Sequence, residues 1–437
     1  MTNQIKNSLI EKFHNRNAAI GIIGLGYVGL PLAVAFANVG FKVLGVDVDE
    51  QKVSGLNAGI SHVEDIENAA ITHIIDQGLF RATTNYADLN IVDAISICVP
   101  TPLRKTKDPD LSYIISATNS IAQVGIEGKL IVLESTTYPG TTEELVLPSF
   151  ANETNQVGKT FFLAFSPERI DPGRTDHNMW TTPKVIGGIT QNCNDIVHAL
   201  YSTVVNTPVI VSSPSTAEMV KLLENTFRAV NIGLVNEVAL MCDRLGLNVW
   251  EVIDAAATKP YGFMKFTPGP GLGGHCIPID PHYLSWKLKT LNYNARFIAL
   301  ADEINRSMPE YVVDKVTKAL NADKKAIHGS KILIIGVAYK PNVGDLRESP
   351  ALDIIHLLQN LGAELSYHDP YVSSISYDSI SLEATKNPYT AVKDADCVII
   401  VTNHAIYDWS KIQDTSACIV DTRNALKNET MTRVISI

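Results

Sequence analysis

Short apolar runs alternate with helical segments through the first half of the chain. Residues 18–23 form an apolar run that ends in a glycine-rich turn, and an apolar helical segment at about 30–39 leads into a second apolar run at 41–47. Residues 64–80 have a helical pattern, and further runs typical of buried strands lie at 94–99, 130–133 and 161–165. Strands that alternate with helices predict βαβ units and a parallel sheet, so we expect an α/β domain here.

A long helix separates this half from a second series of apolar runs. The helical pattern extends from 213 to about 245 and opens with the cap signal Ser213-Pro214, and a short helix is expected around 250–257. The second series of runs lies at 331–336, 364–368, 397–401 and 417–420, with a helix at 349–361. We predict an α/β fold of two Rossmann-like doubly wound domains joined by a long central helix. The predicted domain boundaries are 1–212, 213–322 and 323–437.

Length, charge and cysteine content narrow the class of protein. A chain of 437 residues exceeds what one core usually supports, which favours two or three domains. Its net charge of -10 argues against a nucleic-acid or anionic-membrane partner. The six cysteines form no CxxC pair, which favours a reducing compartment and no metal site. The first 17 residues lack a signal-peptide pattern and no run of about 18 apolar residues occurs, so we expect a cytoplasmic protein without a membrane segment.

A glycine turn follows the first predicted strand and opens the first predicted helix. It reads Gly24-Leu25-Gly26-Tyr27-Val28-Gly29, and Asp47 ends the next predicted strand, 18 positions after Gly29. The first glycine permits a tight turn, the second lets backbone N–H groups approach a pyrophosphate, and the third allows close helix packing. A carboxylate such as Asp47 would bind ribose hydroxyls and repel a 2′-phosphate, so the motif predicts NAD as the cofactor. The alternative is a structural glycine turn with a solvated Asp47.

A stretch rich in glycine and proline, residues 267–284, presents a single cysteine. Four glycines and two prolines precede Cys276, so we expect no regular helix or strand to run through this stretch. A cysteine can form a covalent adduct with a carbonyl carbon when its neighbours raise its thiolate fraction, and Asp280 is close enough in sequence to share a proton or a water with it. Cys276 is therefore a candidate nucleophile. The alternative is a small buried apolar residue beside a turn.

Polar residues at strand ends and on the long helix are further candidates. Pro167 breaks the pattern of the preceding strand and directs Glu168 off its end. Thr101 lies in a proline-rich loop beyond a strand, where cofactors bind in doubly wound sheets. Lys221 and Asn225 are four positions apart and share one face of the predicted helix. Because that helix has apolar surroundings, a lysine buried there requires a partner or a function, although solvated side chains are the alternative.

The sequence around the cysteine reads Gly273-Gly274-His275-Cys276-Ile277-Pro278-Ile279-Asp280-Pro281. It resembles the UDP-glucose/GDP-mannose dehydrogenase family, most closely its UDP-N-acetylglucosamine 6-dehydrogenase branch. The motifs at 166–173, 218–225 and 339–350 resemble the same family. The resemblance implies an NAD-dependent four-electron oxidation of a sugar C6 alcohol to a carboxylate, through a thiohemiacetal and a thioester on Cys276, for surface polysaccharide precursors. It also implies a homodimer formed through the central helix and a C-terminal domain that holds the UDP-sugar.

The resemblance assigns roles to individual residues. Those implied in catalysis are Cys276, Lys221, Asn225, Asp280, Glu168 and Thr137. Those implied in cofactor binding are Gly24, Gly26, Tyr27, Val28, Gly29, Asp47, Lys52, Thr101, Thr137 and Arg347. Those implied in substrate binding are Glu168, Arg169, Lys221, Asn225, Tyr261, Phe266, Gly273 and Lys340. In this scheme the helix residues stabilise oxyanions, whereas the carboxylates and the threonine position and deprotonate water.

The branch of the family is predicted from few positions. UDP-glucose-specific relatives carry an arginine from the partner subunit where this chain has Pro260, and the glycine run at 269–274 is expected to leave room for an N-acetyl group. Asp171 favours the N-acetylglucosamine branch over the N-acetylmannosamine branch. We predict UDP-N-acetylglucosamine as the substrate, with UDP-N-acetylmannosamine, UDP-N-acetylgalactosamine and UDP-glucose as alternatives. The rival classes are a two-electron hydroxyacid dehydrogenase and a nucleotide-sugar or NAD sensor without turnover.

Overall fold

The first unit of the chain is built on a large sheet and the second on a smaller one. The computed structural model describes residues 2–104, 108–170, 178–426 and 433–437, so Asp171 lies outside the described residues. The first unit comprises Met1–Glu224 with His282–Asn292, and the second comprises Asn225–Pro281 with Tyr293–Ile437. The long central helix predicted from the sequence is present, and the boundary between the units falls within it.

Strands and helices alternate along both units. The strands are β1 (Ala19–Ile23), β2 (Lys42–Val46), β3 (Phe80–Thr83), β4 (Ala94–Ile97), β5 (Leu130–Leu133), β6 (Phe162–Phe165), β7 (Lys184–Gly188), β8 (Pro208–Val211), β9 (Lys331–Ile335), β10 (Glu364–His368), β11 (Ser374–Tyr377), β12 (Ile380–Glu383), β13 (Cys397–Ile400), β14 (Cys418–Asp421) and β15 (Arg433–Ser436). The helices are α1 (Thr2–His14), α2 (Gly29–Asn38), α3 (Glu50–Asn57), α4 (Asn68–Asp76), α5 (Ser112–Val124), α6 (Leu147–Phe150), α7 (Gln191–Tyr201), α8 (Pro214–Leu245), α9 (Val249–Ala256), α10 (Asp280–Thr290), α11 (Arg296–Ala322), α12 (Pro350–Asn360), α13 (Pro388–Asp394) and α14 (Trp409–Thr415). The first unit also contains a 3-10 turn at Tyr86–Ile91 and a π-helical turn at Thr142–Val146.

The sheet of the first unit has the strand order of a dinucleotide-binding domain. Among the described residues eight strands pair in the order β3-β2-β1-β4-β5-β6-β7-β8. Pairing is parallel from β3 to β6, β7 runs antiparallel to β6, and β8 runs parallel to β7. The order reverses between β1 and β4, which is where doubly wound sheets bind dinucleotides. The predicted doubly wound architecture is therefore confirmed for this unit.

The second unit repeats this architecture on a smaller scale. Five strands among its described residues form a parallel sheet in the order β10-β9-β13-β14-β15. Its reversal lies between β9 and β13, which is the other common doubly wound order. Strands β11 and β12 form a separate antiparallel hairpin. The prediction of a second Rossmann-like unit is confirmed.

The turn after the first strand of each sheet shows how closely the two units resemble each other. Gly24 follows β1 with a φ of 86°, and a Cβ there would lie 2.6 Å from the carbonyl oxygen of Cys98, just beyond β4. Gly336 follows β9 with a φ of 77°, and a Cβ there would lie 2.2 Å from the carbonyl oxygen of Thr402, just beyond β13. Both positions require glycine for two reasons. Any other L residue would be strained at this positive φ, and its Cβ would overlap the facing carbonyl oxygen.

Some elements do not follow from the sequence pattern. The pattern did not reveal α1, α7, α11 or the pair β7 and β8. No regular helix or strand runs through residues 267–279, as predicted, but the last residues of the stretch are helical, since α10 begins at Asp280. Pro281 falls in the first turn of that helix, where a proline loses no intrahelical hydrogen bond and its fixed φ suits a helix. In the part of the chain that the structure describes, no helix has the length and apolarity needed to cross a membrane.

We expect Gly336→Ala to destabilise the protein more than Gly329→Ala. Both glycines have a φ of 77°. Alanine therefore incurs the same left-handed strain of about 1–2 kcal/mol at each. The Cβ added at 336 would also overlap Thr402, whereas at 329 it would meet no described atom within 4 Å. Overpacking of this kind costs about 1–3 kcal/mol more. Urea unfolding of the parent and both variants measures the difference, and equal midpoints for the two variants would contradict it.

Candidate active site

The glycine turn after β1 leaves an open backbone surface at the start of α2. A Cβ at Gly29 would lie 1.8 Å from the carbonyl oxygen of Gly24, so Gly29 is needed for the turn to pack. A Cβ at Gly26 would meet no described atom within 4 Å. Val28, the N-cap residue of α2, offers its N–H groups no side-chain acceptor, and Tyr27 is exposed. The helix N-terminus and the space beside Gly26 fit the pyrophosphate of a dinucleotide.

The acidic residue of the dinucleotide motif is fixed at the end of β2. Asp47 is buried, and its Oδ2 accepts a hydrogen bond from the backbone N of Leu25 at 2.9 Å. Its Oδ1 accepts one from the backbone N of Asp49 at 3.0 Å. The carboxylate is thus held beside the glycine turn, where a ribose-binding acid is required. Lys52 lies in the first turn of α3, with its Nζ 3.9 Å from the carboxylate of Asp49, and its role at the adenosine end stays a prediction.

Two threonines lie in loops beyond the carboxyl ends of the first sheet. The carbonyl oxygen of Thr101 accepts a hydrogen bond from the hydroxyl of Tyr283 at 2.7 Å. Thr137 is buried, and its Oγ1 has no hydrogen-bond partner among the described residues. A buried hydroxyl without a partner costs free energy unless a ligand or a water completes it. Thr137 therefore fits a site where a cofactor or a water binds, and its predicted roles remain to be tested.

The loop that carries Thr137 is anchored by a carboxylate that sequence reasoning did not single out. Glu218 of α8 is fully buried and accepts hydrogen bonds from the backbone N of Gly140 at 2.6 Å, the backbone N of Thr142 at 2.9 Å and Oγ1 of Thr142 at 2.7 Å. Burial raises the pKa of Glu218 to about 7, because these three donors offset only part of the desolvation cost. A glutamate among apolar positions of a long helix is the sequence signal that could have found it.

In the first unit the structure brings together Glu168, Arg169 and Lys221. The Nζ of Lys221 donates to the backbone carbonyl oxygen of Glu168 at 2.8 Å. The Oε1 of Glu168 accepts from the backbone N of Arg169 and of Ile170, both at 2.7 Å. Arg169 pairs with Glu224, with 2.5 Å between Nη2 and Oε1. The lysine of the long helix thus has the partner that its apolar surroundings required.

In the second unit the structure brings together Cys276, Asp280 and Asn225. The carbonyl oxygen of Cys276 accepts from the backbone N of Ile279 at 3.1 Å and of Asp280 at 2.8 Å, which closes a tight turn. The buried Oδ2 of Asp280 accepts from Nδ2 of Asn225 at 2.5 Å. All six cysteines lie within the described ranges; the other five are buried, whereas Cys276 is half-buried. Of the six thiols, that of Cys276 is therefore the most accessible to a substrate.

The glycines before Cys276 make room for the protein itself. A Cβ at Gly273 would lie 2.7 Å from the Cβ of Tyr339, and a Cβ at Gly274 would lie 2.8 Å from the ring of the same tyrosine. A Cβ at Gly269 would lie 2.5 Å from Nη1 of Arg423. Side chains of the second unit therefore occupy the space on the Cβ side of these three glycines. The room for an N-acetyl group and the substrate contact of Gly273 stay predictions.

Basic residues of the second unit lie around the same loop. Arg347 pairs with Asp345, with 2.7 Å between Nη2 and Oδ2, and its carbonyl oxygen accepts from the backbone N of Gly274 at 2.9 Å. Burial opposes ionisation of Asp345, but the hydrogen bonds from Arg347 lower its pKa overall. Lys340 lies over the ring of Tyr339, with its Nζ 5.5 Å from the centroid. The predicted UDP contact of Lys340 and the predicted cofactor contact of Arg347 stay predictions.

Arg423 is a further basic residue of this unit that sequence reasoning missed. Its Nε donates to the carbonyl oxygen of Val401 at 2.8 Å, beside Gly269. Burial lowers the pKa of Arg423 to about 10, so the guanidinium remains a cation at neutral pH. Its position follows β14, and a basic residue just beyond a predicted strand was the available signal.

The two aromatic residues predicted to bind substrate lie in different surroundings. Tyr261 is exposed, and the Nζ of Lys259 lies 5.0 Å from the centroid of its ring. Phe266 is half-buried and packs edge-on against Phe227, with 5.9 Å between ring centroids. Pro260, which replaces the arginine of UDP-glucose-specific relatives, is also exposed. Their contacts with substrate stay predictions.

Fold and site together define a class of protein. A doubly wound sheet with an open glycine turn and a fixed acid at the end of β2 is typical of NAD-dependent dehydrogenases. Three family models match the chain: the NAD-binding domain of the UDP-glucose/GDP-mannose dehydrogenase family at residues 18–205, its central domain at 215–307 and its UDP-binding domain at 333–428. The chain belongs to this family. It is an NAD-dependent nucleotide-sugar dehydrogenase.

Similar proteins match this chain over almost its whole length. The UDP-N-acetyl-D-mannosamine dehydrogenase of Methanococcus maripaludis is 36% identical over 427 residues, covering 94% of this chain and 93% of that one. The NDP-N-acetyl-D-galactosaminuronic acid dehydrogenase of Ralstonia nicotianae is 36% identical over 421 residues, covering 92% and 95%. The solved structure of a UDP-D-ManNAc dehydrogenase from Pyrococcus horikoshii has a TM-score of 0.87 and 34% identity, covering 96% and 99%.

We expect the stabilising contribution of Glu218 to decline as the pH rises. Its pKa is raised from 4.5 to about 7, so over that interval the folded protein keeps a proton that the unfolded chain releases. The contribution is complete below about pH 4.5 and is lost as the pH rises through about 7. The free energy of unfolding of the parent relative to Glu218→Gln should therefore fall by about 3 kcal/mol across this range.

Urea unfolding of both proteins at intervals from about pH 5 to 8 measures this difference. The variant is its own control, because the glutamine keeps an acceptor for the loop but does not titrate. A difference that stays constant with pH would contradict the assignment of Glu218.

Proposed function

We propose that this protein oxidises the C6 alcohol of a UDP-N-acetylhexosamine to the carboxylate, and that Cys276 holds the sugar covalently between the two oxidation steps. The observation that carries the proposal is the turn at Cys276. Its thiol is the most accessible of the six. The backbone carbonyl oxygen of Cys276 accepts a hydrogen bond from the backbone N of Asp280 at the start of α10, and the carboxylate of Asp280 is held by Asn225. A two-electron hydroxyacid dehydrogenase needs no such thiol, so this observation disfavours that rival.

In the proposed reaction the residues of the second unit handle the covalent chemistry. The thiolate of Cys276 adds to the C6 aldehyde to form a thiohemiacetal, and after the second oxidation the sugar is held as a thioester. Asp280 lies one helical turn beyond the thiol, where its carboxylate can accept the thiol proton or orient a water. The amide of Asn225 fixes that carboxylate and offers a donor for an oxyanion.

The residues of the first unit bind the cofactor and move protons. NAD⁺, when bound, supplies the hydride acceptor for both oxidations. The glycine turn, Asp47 and Thr101 would hold this cofactor. The hydroxyl of Thr137, which has no hydrogen-bond partner among the described residues, would form a hydrogen bond with the cofactor or with a water. The ammonium of Lys221 can stabilise the alkoxide of the C6 alcohol, and Glu168 accepts a proton from the water that hydrolyses the thioester.

Two epimers at the sugar C2 are candidates for the substrate. The motifs around Cys276 resemble the N-acetylglucosamine branch, and on this ground we propose UDP-N-acetylglucosamine. UDP-N-acetylmannosamine is the second candidate, because the relatives from Methanococcus maripaludis and Pyrococcus horikoshii carry that substrate in their names. Both sugars have the acetamido group that a hydrogen-bonding site can recognise. We also propose the three predicted domains and a cytoplasmic location, because a reducing compartment suits a reactive thiol.

We also propose a homodimer formed through α8. A stripe of exposed apolar side chains with helical spacing follows this helix through the second unit: Phe227, Leu234, Met241 and Leu245. An exposed stripe of this kind is typical of an interface. Val235 and Ala239 of the same helix are buried in the core of the second unit, so the proposed interface is formed by the exposed stripe.

We expect two NADH for each UDP-N-acetylglucosamine consumed. We also expect a kcat/KM at least about 10-fold above that for UDP-glucose, because polar groups that hydrogen-bond the acetamido group are left unpaired when the sugar lacks it. A panel of the four UDP-sugars, read by NADH absorbance and product mass, measures both. Higher kcat/KM with UDP-N-acetylmannosamine would favour the second candidate. One NADH per sugar with aldehyde as the product would contradict the covalent mechanism, and no NADH with any sugar would favour a sensor.

The matched variants for this assay are Cys276→Ser and Cys242→Ala. The first removes the nucleophile and should lower turnover by about 10³-fold or more. The second removes a buried thiol of the same unit that lies outside the site, and should retain turnover.

We expect Leu234→Glu to convert the dimer to a monomer of 47.6 kDa. A carboxylate in the middle of an apolar interface is desolvated without a partner, which costs several kcal/mol. Light scattering after size exclusion measures the mass. Leu361→Glu is the control, because Leu361 is 47% exposed and Leu234 is 53% exposed, yet Leu361 lies outside the stripe. A dimer for both variants, or a monomer for the parent, would contradict the proposed interface.

A further inference from the structure

A chain of buried polar groups leads from the interior of the first unit to Glu168. Glu134 directly follows β5, Tyr201 ends α7, and both are buried, with the hydroxyl of Tyr201 donating to Oε1 of Glu134. Lys184, the first residue of β7, is 5% exposed, and its Nζ lies 2.8 Å from Oε2 of Glu134. Taking such a pair out of water costs several kcal/mol per ion, so a buried ion pair is weak evidence of stabilisation and points to another role.

The other side of the Lys184 ammonium faces the segment that carries Glu168. Its Nζ lies 3.8 Å from Oε2 of Glu168 and 3.4 Å from the carbonyl oxygen of Pro167. Because Oε1 of Glu168 already accepts two backbone hydrogen bonds, Lys184 restrains the second carboxyl oxygen and the peptide before it. The side chains of Lys184 and Glu168 line the same pocket, together with Arg169 and Thr182.

Lys184 remains a cation in this environment. Burial lowers the pKa of an ammonium group, but the facing carboxylates of Glu134 and Glu168 outweigh burial and raise the pKa of Lys184. Glu134 thus supplies the countercharge that keeps a cation at this position. The ammonium presents a fixed charge to Glu168 at neutral pH.

We propose that Lys184 is a positioning residue for Glu168, which it holds in the orientation from which the carboxylate accepts a proton from the hydrolytic water. This inference rests on the proposed function. In the step concerned, the water oxygen bonds to the acyl carbon, the C–S bond to Cys276 breaks with its electron pair on sulfur, and the water proton passes to Glu168. Lys184 keeps its own proton and acts on the reaction through Glu168.

The test compares thioester hydrolysis in the parent and in three variants of the full chain. Glu134→Gln with Lys184→Met removes both members of the buried pair, so that neither charge is left alone. Lys184→Arg keeps the cation and remains informative if the double variant does not fold. Lys129→Met is the matched control, since Lys129 is another buried lysine of this unit but donates to the carbonyl oxygens of Leu89, Asn90 and Val92.

We expect the double variant to release its first two NADH per site at near the parent rate and then to turn over about 10- to 100-fold more slowly, because misplacement of a catalytic group by about 1 Å can cost 10²-fold. The sugar should accumulate on Cys276 as a thioester, visible in the mass of the intact protein. Lys184→Arg should restore most of the turnover, while Lys129→Met should change neither the burst nor the later turnover.

Equal slowing of the burst and of the later turnover, or no accumulation of thioester on Cys276, would overturn the role of Lys184 while leaving the proposed function standing. A Lys184→Arg variant as slow as the double variant would also overturn it. A parent protein that forms no NADH with any UDP-N-acetylhexosamine would overturn the proposed function and this inference together. Activity of the parent protein therefore distinguishes a failure of the proposed function from a failure of the role of Lys184.

Discussion

The close approach of the turn after β1 to the end of β4 is the constraint on which the first unit depends. Gly24 sits against the carbonyl oxygen of Cys98, and that contact lets α2 start directly above the crevice where the strand order reverses. The same turn supplies the N–H of Leu25 that orients Asp47. Because a Cβ at Gly24 or Gly29 would overlap backbone atoms, side chains elsewhere cannot relieve the clash. The shape of this turn, where the cofactor is predicted to bind, is therefore set by backbone contacts rather than by side chains.

The second unit uses the same construction for a different purpose. Gly336 meets the carbonyl oxygen of Thr402 as Gly24 meets that of Cys98, and Asp369 accepts from the backbone N of Val337 at 2.8 Å. Here, however, Asp369 is also bonded to the buried His404, with 2.9 Å between Oδ2 and Nε2. A carboxylate committed to an internal histidine is poorly placed to receive a ribose. The second unit therefore keeps the doubly wound construction, but its acid at this position is paired within the protein.

Much of the fold and part of the candidate site could be predicted from the sequence because their signals are local. Apolar runs between glycine turns identified β1, β4, β5, β9 and β13, and the spacing of Gly24, Gly26 and Gly29 identified the tight turn between β1 and α2. The cysteine turn was also visible, although the start of α10 within it was not. The role of the glycines before Cys276 could not be predicted, since Tyr339 and Arg423 lie far away in sequence. Glu218 and Lys184 were missed for the same reason: each is explained by partners that lie between 16 and 78 positions away in sequence.

The path of the chain through α10 has a consequence for dissecting this protein. The helix begins at Asp280 in the second unit, but its residues from His282 onward belong to the first. There Tyr283 donates to the carbonyl oxygen of Thr101, Trp286 packs on Tyr138 with 5.2 Å between ring centroids, and Lys287 pairs with Glu144 at 2.7 Å. No single cleavage of the chain separates the units, since a fragment that ends at residue 224 lacks the helix that covers its own cofactor loops. Cys276 is thereby encoded between the two segments of the first unit, so an exchange of that unit as one contiguous stretch would carry Cys276 with it.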